Sequence, residues 1–260
     1  MNRTVLTIVA LIAILVAVGG AWWVVMHASA SGSPGDTISD QRALQPFRQV
    51  TLDGNAEVTL VQGSSEAIAI EVTGGSVVHA EVRDGVLMIH ADDERRWWSY
   101  IHGGTRRAPR ITVTFHELDA LRASGAIKLG AERLRTDALA LRFSGAAAVR
   151  VGALEARTLT LNGSGAFKAD VAGRVDEQRI SISGAGDYRA GDLVSDRASI
   201  SVSGAGRVLV NAQKALDVDL SGAAKVDYKG DPKVTQRVSG VGRIRRHESA
   251  ERLMHVAASG

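Results

Sequence analysis

Ile180 to Ala190 reads ISISGAGDYRA, and Ile200 to Val210 reads ISVSGAGRVLV. In both, an apolar and polar alternation runs into Ser-Gly-Ala and resumes beyond it. Ser-Gly followed by a small residue recurs seven times from residue 124 onward, at intervals of 18 to 20 residues. The pairs are Ser124-Gly125, Ser144-Gly145, Ser164-Gly165, Ser183-Gly184, Ser203-Gly204, Ser221-Gly222 and Ser239-Gly240. A period of this length marks stacked repeats, each burying its apolar face against its neighbours.

Alignment on the serines gives the strand pattern. Three places before stand Leu121, Leu141, Leu161, Ile180, Ile200, Val218 and, out of pattern, Gln236. One place before stand Ala123, Phe143, Gly163, Ile182, Val202, Leu220 and Val238. Between them lie Arg122, Arg142, Asn162, Ser181, Ser201, Asp219 and Arg237, all polar. Period-two alternation is the signature of a strand with one buried face. Beyond the glycine the alternation resumes, with apolar Leu129, Val149, Ala169, Tyr188, Val208, Val226 and Ile244 five places after the serine. Each repeat is therefore two short strands joined at a tight Ser-Gly-small corner. A second, looser corner closes it, for example at Gly152-Ala153-Leu154-Glu155.

Glycine suits the first corner because it accepts φ > 0. The next residue is Ala126, Ala146, Ala166, Ala185, Ala205, Ala223 or Val241. Equivalent positions in paired strands stack about 4.8 Å apart, so a large side chain there would crowd its copies. The serine hydroxyl has the backbone at the bend, or the next serine, as partner. The expected fold class is all-β, a single-stranded parallel β-helix or β-solenoid of 18 to 20 residues per coil. An amino-terminal transmembrane or signal helix precedes it. The leucine-rich-repeat pattern, with its fixed Asn or Cys, is absent.

Composition agrees. The chain has 260 residues, 28 glycines, 4% aromatics and no cysteine. Few aromatics suit a core one side chain deep, and without cysteine there are neither disulfides nor thiolate metal sites. A formal charge of +3 gives no reason to expect nucleic-acid binding. Val5 to Met26 is an unbroken apolar run, about 33 Å long as a helix and enough for a bilayer core of about 30 Å. Arg3 before it places the amino terminus inside, and Trp22 and Trp23 suit the far interface. Ala28-Ser29-Ala30 resembles a signal-peptidase site, so a cleaved signal is the alternative. Residues 1–30 are thus anchor or signal, placing the remainder outside the cytoplasmic membrane, or secreted if the segment is cleaved. Residues 31–46 read as a flexible spacer. The folded domain covers 47–246, with irregular first coils or a small antiparallel cap over 47–118 and the repeats over 119–246. Residues 247–260 form a tail, in which Glu248 to Val256 suits a short helix covering the last coil.

Residues 47 to 118 also alternate, and Gly74-Gly75 and Asp84-Gly85 are turn signals, the second a strong hairpin signal. Here the chain resembles a known family. Phe47-x-x-Val50-x-Leu52-x-Gly54 followed by Val58-x-Leu60-x-Gln62-Gly63 is similar to the opening of the autotransporter-adhesin head domain called the GIN domain. Ile111-x-Val113, then Leu118-x-Ala120-Leu121-x-x-Ser124-Gly125-Ala126, looks like its next block. The resemblance spans about residues 47 to 246. It implies an exported envelope β-solenoid with a surface-adhesion role, and supplies no catalytic residues. The stretch Arg95 to Pro109 and the basic end Arg243-x-Arg245-Arg246 depart from the pattern.

Arg95, Arg96, Trp97, Trp98, Tyr100 and His102 form the leading ligand-site candidate, because exposed aromatics beside charges grip sugar rings or a membrane surface. A lid over the first coils is the competing reading of the same residues. The seven histidines include no H-E-x-x-H and no close pair at ligand spacing, so no metal or other cofactor is expected. Asp170, Asp187 and Asp192 could suggest a polysaccharide-cleaving cluster, yet Asp170 and Asp187 occupy different repeat positions and Lys or Arg occupies both of those columns in adjacent repeats. The expected role is non-catalytic binding or adhesion. Partners would be the membrane through the amino-terminal helix and a glycan, cell-wall or anionic envelope polymer. A carbohydrate-active enzyme and an end-to-end structural assembly are the alternatives.

Overall fold

The computed structural model describes residues 37–73, 77–92 and 108–247. These belong to the second of the chain's two compact units, which begins at Gly32. The expected anchor or signal over 1–30, the Gly74-Gly75 turn, the Trp97-Trp98 stretch and the expected helix after Glu248 lie outside the described residues. Among the described residues no helix is long and apolar enough to cross a membrane.

The structure is all-β. Its strands are β1 (Thr37–Ala43), β2 (Gln49–Gln62), β3 (Ala67–Thr73), β4 (Val77–Arg83), β5 (Val86–Asp92), β6 (Arg110–Phe115), β7 (Ala120–Arg135), β8 (Ala138–Val202), β9 (Ala205–Leu220), β10 (Ala223–Lys229), β11 (Lys233–Val238) and β12 (Val241–Arg246). They form one sheet whose main path runs β1-β3-β6-β2-β7-β8-β9-β10-β12. From β2 onward this path is parallel, with like repeat positions opposite one another. Ser124 pairs with Ser144, Ala185 with Ala205, and Ala223 with both Ala205 and Val241. The 65-residue β8 carries three repeats and lies against itself. A Cβ on Gly165 would come 2.3 Å from the Gly145 carbonyl oxygen, and one on Gly184 2.3 Å from that of Gly165.

The expected inward rows are buried. Leu121, Leu141, Leu161, Ile180, Ile200 and Val218 form one file of the core, and Leu129, Val149, Ala169, Tyr188, Val208 and Val226 another. A third file explains the irregular residues. The places just before the serine and three after it share one space, and a large residue at one meets a small one at the other. Phe143 goes with Ala147, Ile182 with Gly186, and Gly163 with Phe167. A Cβ on Gly163 would stand 2.2 Å from the Phe167 ring, and one on Gly186 2.9 Å from the Ile182 methyl. Interiors fill to crystal density, so volume lost at one place is supplied at the other.

β8 runs through Gly152 to Glu155 without a break, as it does through its Ser-Gly positions, and the left-handed glycines on the second-corner side are Gly173 and Gly230, at φ 128° and 96°. Slack in repeat length is taken up nearby. Eight residues from Ala190 to Arg197 face six from Val210 to Ala215, so the register shifts there. The insertion buries Leu193 completely.

Before the repeats the sheet turns antiparallel. β4 and β5 form the expected hairpin, with Asp84 and Gly85 at φ 51° and 73° and Arg83 opposite Val86. β3 runs antiparallel to both β1 and β6. β1 corrects the reading of 31–46 as spacer. Thr37–Ala43 pairs residue for residue with β3, whose outer edge would otherwise leave backbone groups unpaired. Polar composition did not prevent a strand, because the pairing is through the backbone.

Candidate binding surfaces

The Ser-Gly corners line up in a single file. A Cβ added at Gly125, Gly145, Gly165, Gly184, Gly204, Gly222 or Gly240 would fall 2.0 to 2.5 Å from the carbonyl oxygen of the glycine one repeat earlier. Gly54 heads the file, lying under Gly125 and against the Ala91 carbonyl. Asp53-Gly54-Asn55 therefore holds the place of Ser-Gly-Ala in β2. The serines bond as expected where a partner is in reach: the Ser164 and Ser239 hydroxyls donate to the Phe143 and Leu220 carbonyls at 3.4 Å. Ser124 donates instead to the Asp53 carboxylate.

The file divides two outer surfaces. On the carboxyl-terminal side lies a trough of about 990 Å³. Its floor is the row of exposed small residues from Ala126 to Val241. Seven rows at about 4.8 Å give it a length of roughly 29 Å. One bank is the charged row four places after the serines: Glu57, Lys128, Lys168, Asp187, Arg207 and Lys225. Its acids are engaged, Glu57 with Arg110 at 3.5 Å and Asp187 with Arg189 at 2.7 Å. Lys225 reaches Asp227 at 2.9 Å and Lys168 reaches Asp170 at 3.9 Å. Lys128 and Arg207 make no ion pair among the described residues, so the bank is net cationic.

On the amino-terminal side is a groove of about 470 Å³ with polar side chains along it. Arg122 and Arg142 line it with Asn162, Ser181 and the corner serines Ser144, Ser164 and Ser183.

Among the described residues, neither surface brings together a nucleophile, base and carboxylate in catalytic order. Asp53 accepts from Ser124 on one oxygen and lies 3.2 Å from His90 Nδ1 on the other. The three residue types of a hydrolytic triad are present, but the carboxylate stands in the middle. Activating a serine needs the imidazole next to the hydroxyl, with the carboxylate behind it. Asp170, Asp187 and Asp192 do not converge; each faces its own cation, Lys168, Arg189 and Lys229. Among the described residues no group of three His, Asp or Glu could hold a metal ion. The candidates Arg95, Arg96, Trp97, Trp98, Tyr100 and His102 lie outside the described residues. Ala108, just beyond them, lines one end of the trough.

Two charged or polar clusters carry no signal in the linear sequence. Tyr188 donates to Gln178 Oε1 at 3.1 Å, Gln178 to Ser195 at 2.8 Å, and Ser195 to the Asn211 carbonyl at 2.8 Å. All three side chains are buried. Burial pushes the Tyr188 phenol far above its usual range. The chain is fully bonded and reaches neither surface, so it holds the core. Near the carboxyl-terminal edge, Asp227 is almost covered and takes Lys225 and, at 2.6 Å, Arg245. Burial pushes its carboxyl up, but the bonds and charges of the two cations outweigh this and leave it below the usual range.

These features define a class: an all-β protein with an open sheet of in-register parallel strands, a file of stacked glycines and long open faces. The family described as "putative auto-transporter adhesin, head GIN domain" matches residues 46–232, and the chain belongs to it. Among curated proteins, none matches the chain. Solved structures share the fold. An adhesin, so described as putative, from Bacteroides fragilis is 20% identical with a TM-score of 0.71, over 82% of this chain and 97% of that one. A second, from Parabacteroides merdae, is 20% identical with a TM-score of 0.62, over 82% and 97%. A protein titled as a putative lipid binding protein, from Parabacteroides distasonis, is 17% identical with a TM-score of 0.63, over 82% and 98%.

Proposed function

We propose that this chain is a non-catalytic, adhesin-like protein of the bacterial envelope, tethered or exported through its amino-terminal segment. Its repeats wind as a parallel β-solenoid, and the trough along them receives an extended anionic chain of the envelope or a target surface. The solenoid reading rests on the single file of corner glycines and on a strand of 65 residues that lies against itself. The export reading rests on the apolar run Val5 to Met26 and on the family.

One observation carries the binding role: a continuous trough, apolar on its floor and cationic on one bank, with no convergent carboxylates among the described residues. Extended clefts with one sign of charge concentrate oppositely charged ligands. The full chain in detergent should retain an acidic member of a panel of glycans, cell-wall polymers and anionic vesicles. A Lys128→Glu/Arg207→Glu variant should weaken that binding by about tenfold or more, as expected for reversed charges in direct contact. Equal binding by the variant, or release of cleaved polymer, would contradict the proposal.

A further inference from the structure

Arg122 and Arg142 stand directly opposite each other on adjacent parallel strands, both pointing outward. Paired strands are about 4.8 Å apart, and like charges placed opposite each other there destabilise the sheet. Among the described residues the other facing cations, Arg207, Lys225 and Arg243, lie in the row four places after the serines, where Lys225 reaches Asp227, and many of the remaining surface arginines are neutralised. Arg48 pairs with Glu117 and Asp119, Arg135 with Glu155, Arg157 with Asp137 and Arg189 with Asp187. Neither Arg122 nor Arg142 has a carboxylate in reach among the described residues. The acid nearest in register is Asp53, opposite Ser124, and it is engaged by the Ser124 hydroxyl and by His90.

The pair opens on the groove on the other side of the glycine file from the trough. Its neighbours in the same row are neutral and polar: Thr51 beside Arg122, and Asn162 and Ser181 beyond Arg142. The next row offers the hydroxyls of Ser144, Ser164 and Ser183. A guanidinium binds a carboxylate through two parallel hydrogen bonds, and two guanidiniums share one anion more favourably than they face each other alone.

Resting on the reading of the domain as a binding module, we propose that Arg122 and Arg142 form an anion subsite for an acidic polysaccharide. Its sugar carboxylates sit between the two guanidiniums, and its hydroxyls meet the serine and asparagine rows. The occupant is a polymer because the polar rows continue past the two cations, and the rise of an extended sugar chain per residue is close to the row spacing. A lipid bilayer fits this groove poorly. The exposed large apolar residues are Val61, Val77, Val238 and Val241 among those described, and none lines it.

The test uses the full chain in detergent with polygalacturonate as probe, neutral dextran and inorganic phosphate as controls, and anionic phospholipid vesicles as the competing partner. Polygalacturonate should bind, with an affinity that falls as salt is raised. Arg122→Gln/Arg142→Gln should weaken it by about tenfold or more, because it removes charge-assisted bidentate contacts. The same variant should unfold at a temperature no lower than the parent at low salt, since it relieves a repulsion. Lys128→Glu/Arg207→Glu, which alters the trough, should weaken polygalacturonate binding less than the arginine variant does. Undiminished binding by the arginine variant, or no binding by the parent chain, would overturn the subsite. Arginine-dependent binding to vesicles or phosphate alone would reassign it to phosphate and overturn the polysaccharide. If polygalacturonate fails while a trough-dependent ligand is found, the subsite falls and the binding role stands.

Discussion

At the scale of single residues, one file of glycines meets two different demands. Gly54, Gly125, Gly145 and Gly165 lie in the left-handed region, at φ 101° to 111°. There a side chain would strain the backbone, as the corner reading expects. Gly184, Gly204, Gly222 and Gly240 lie outside that region, so backbone freedom does not explain them. Close approach does, because each would drive a Cβ to within 2.4 Å of the preceding glycine's carbonyl oxygen. Gly204→Ala should therefore destabilise the domain by about 1–3 kcal/mol, in the range of other overpacked sites, and Gly204→Val by more. In a domain of this size each kcal/mol moves the melting temperature by roughly 2–4 °C. Gly130 has open space where its Cβ would go. Gly130→Ala should be neutral or stabilising by up to about 1 kcal/mol. Parallel thermal melts decide the matter: equal effects at 130 and 204 would remove close approach as the reason for the file.

At the scale of strands, the core works by exchange of volume between two places four residues apart. Phe167→Ala alone empties a space that Gly163 leaves open, and should cost about 3–5 kcal/mol. Gly163→Phe alone collides with the Phe167 ring and should also destabilise strongly. The double change Gly163→Phe/Phe167→Ala gives this repeat the arrangement of Phe143 and Ala147, and should recover to within about 1.5 kcal/mol of the parent. Denaturant unfolding of the four proteins measures the coupling; additive losses would refute the shared space. Much at this scale was legible in advance. The buried files follow from period two, and the β4–β5 hairpin follows from Asp84-Gly85. The strand β1 was not legible, since Thr37–Ala43 has no apolar stripe and pairs with β3 thirty residues away. Gly54 was hidden because Asp53 replaces the serine. The Tyr188, Gln178 and Ser195 chain and the facing arginines depend on register across strands, and a linear reading supplies no register until the repeats are stacked.

Across the whole molecule the two ends differ. Antiparallel strands finish the amino-terminal side of the sheet, whereas β11 and β12 finish the other side thinly. Val238 is 45% exposed and Val241 85%. The arginines Arg237, Arg243 and Arg245 on these strands discourage edge pairing with another copy. β12 is tied down by the Arg245 contact to Asp227. A carboxyl held below its usual range adds stability that is present above the unfolded value of about 3.9 and is lost as pH falls through the folded value. Amide exchange should accordingly be fastest in β11 and β12 and slowest in β8. Lowering the pH below about 4 should widen that gap, and Asp227→Asn should reproduce the loosening at neutral pH. Uniform exchange along the sheet would contradict this gradient. The regular offset between neighbouring strands also bears on ancestry. Duplicating one unit of about twenty residues inserts a further tier without disturbing any other, and extends the trough and the groove by one row each. Reach can thus be lengthened or shortened in whole counts by unequal recombination, while the chemistry of every remaining row is inherited unchanged.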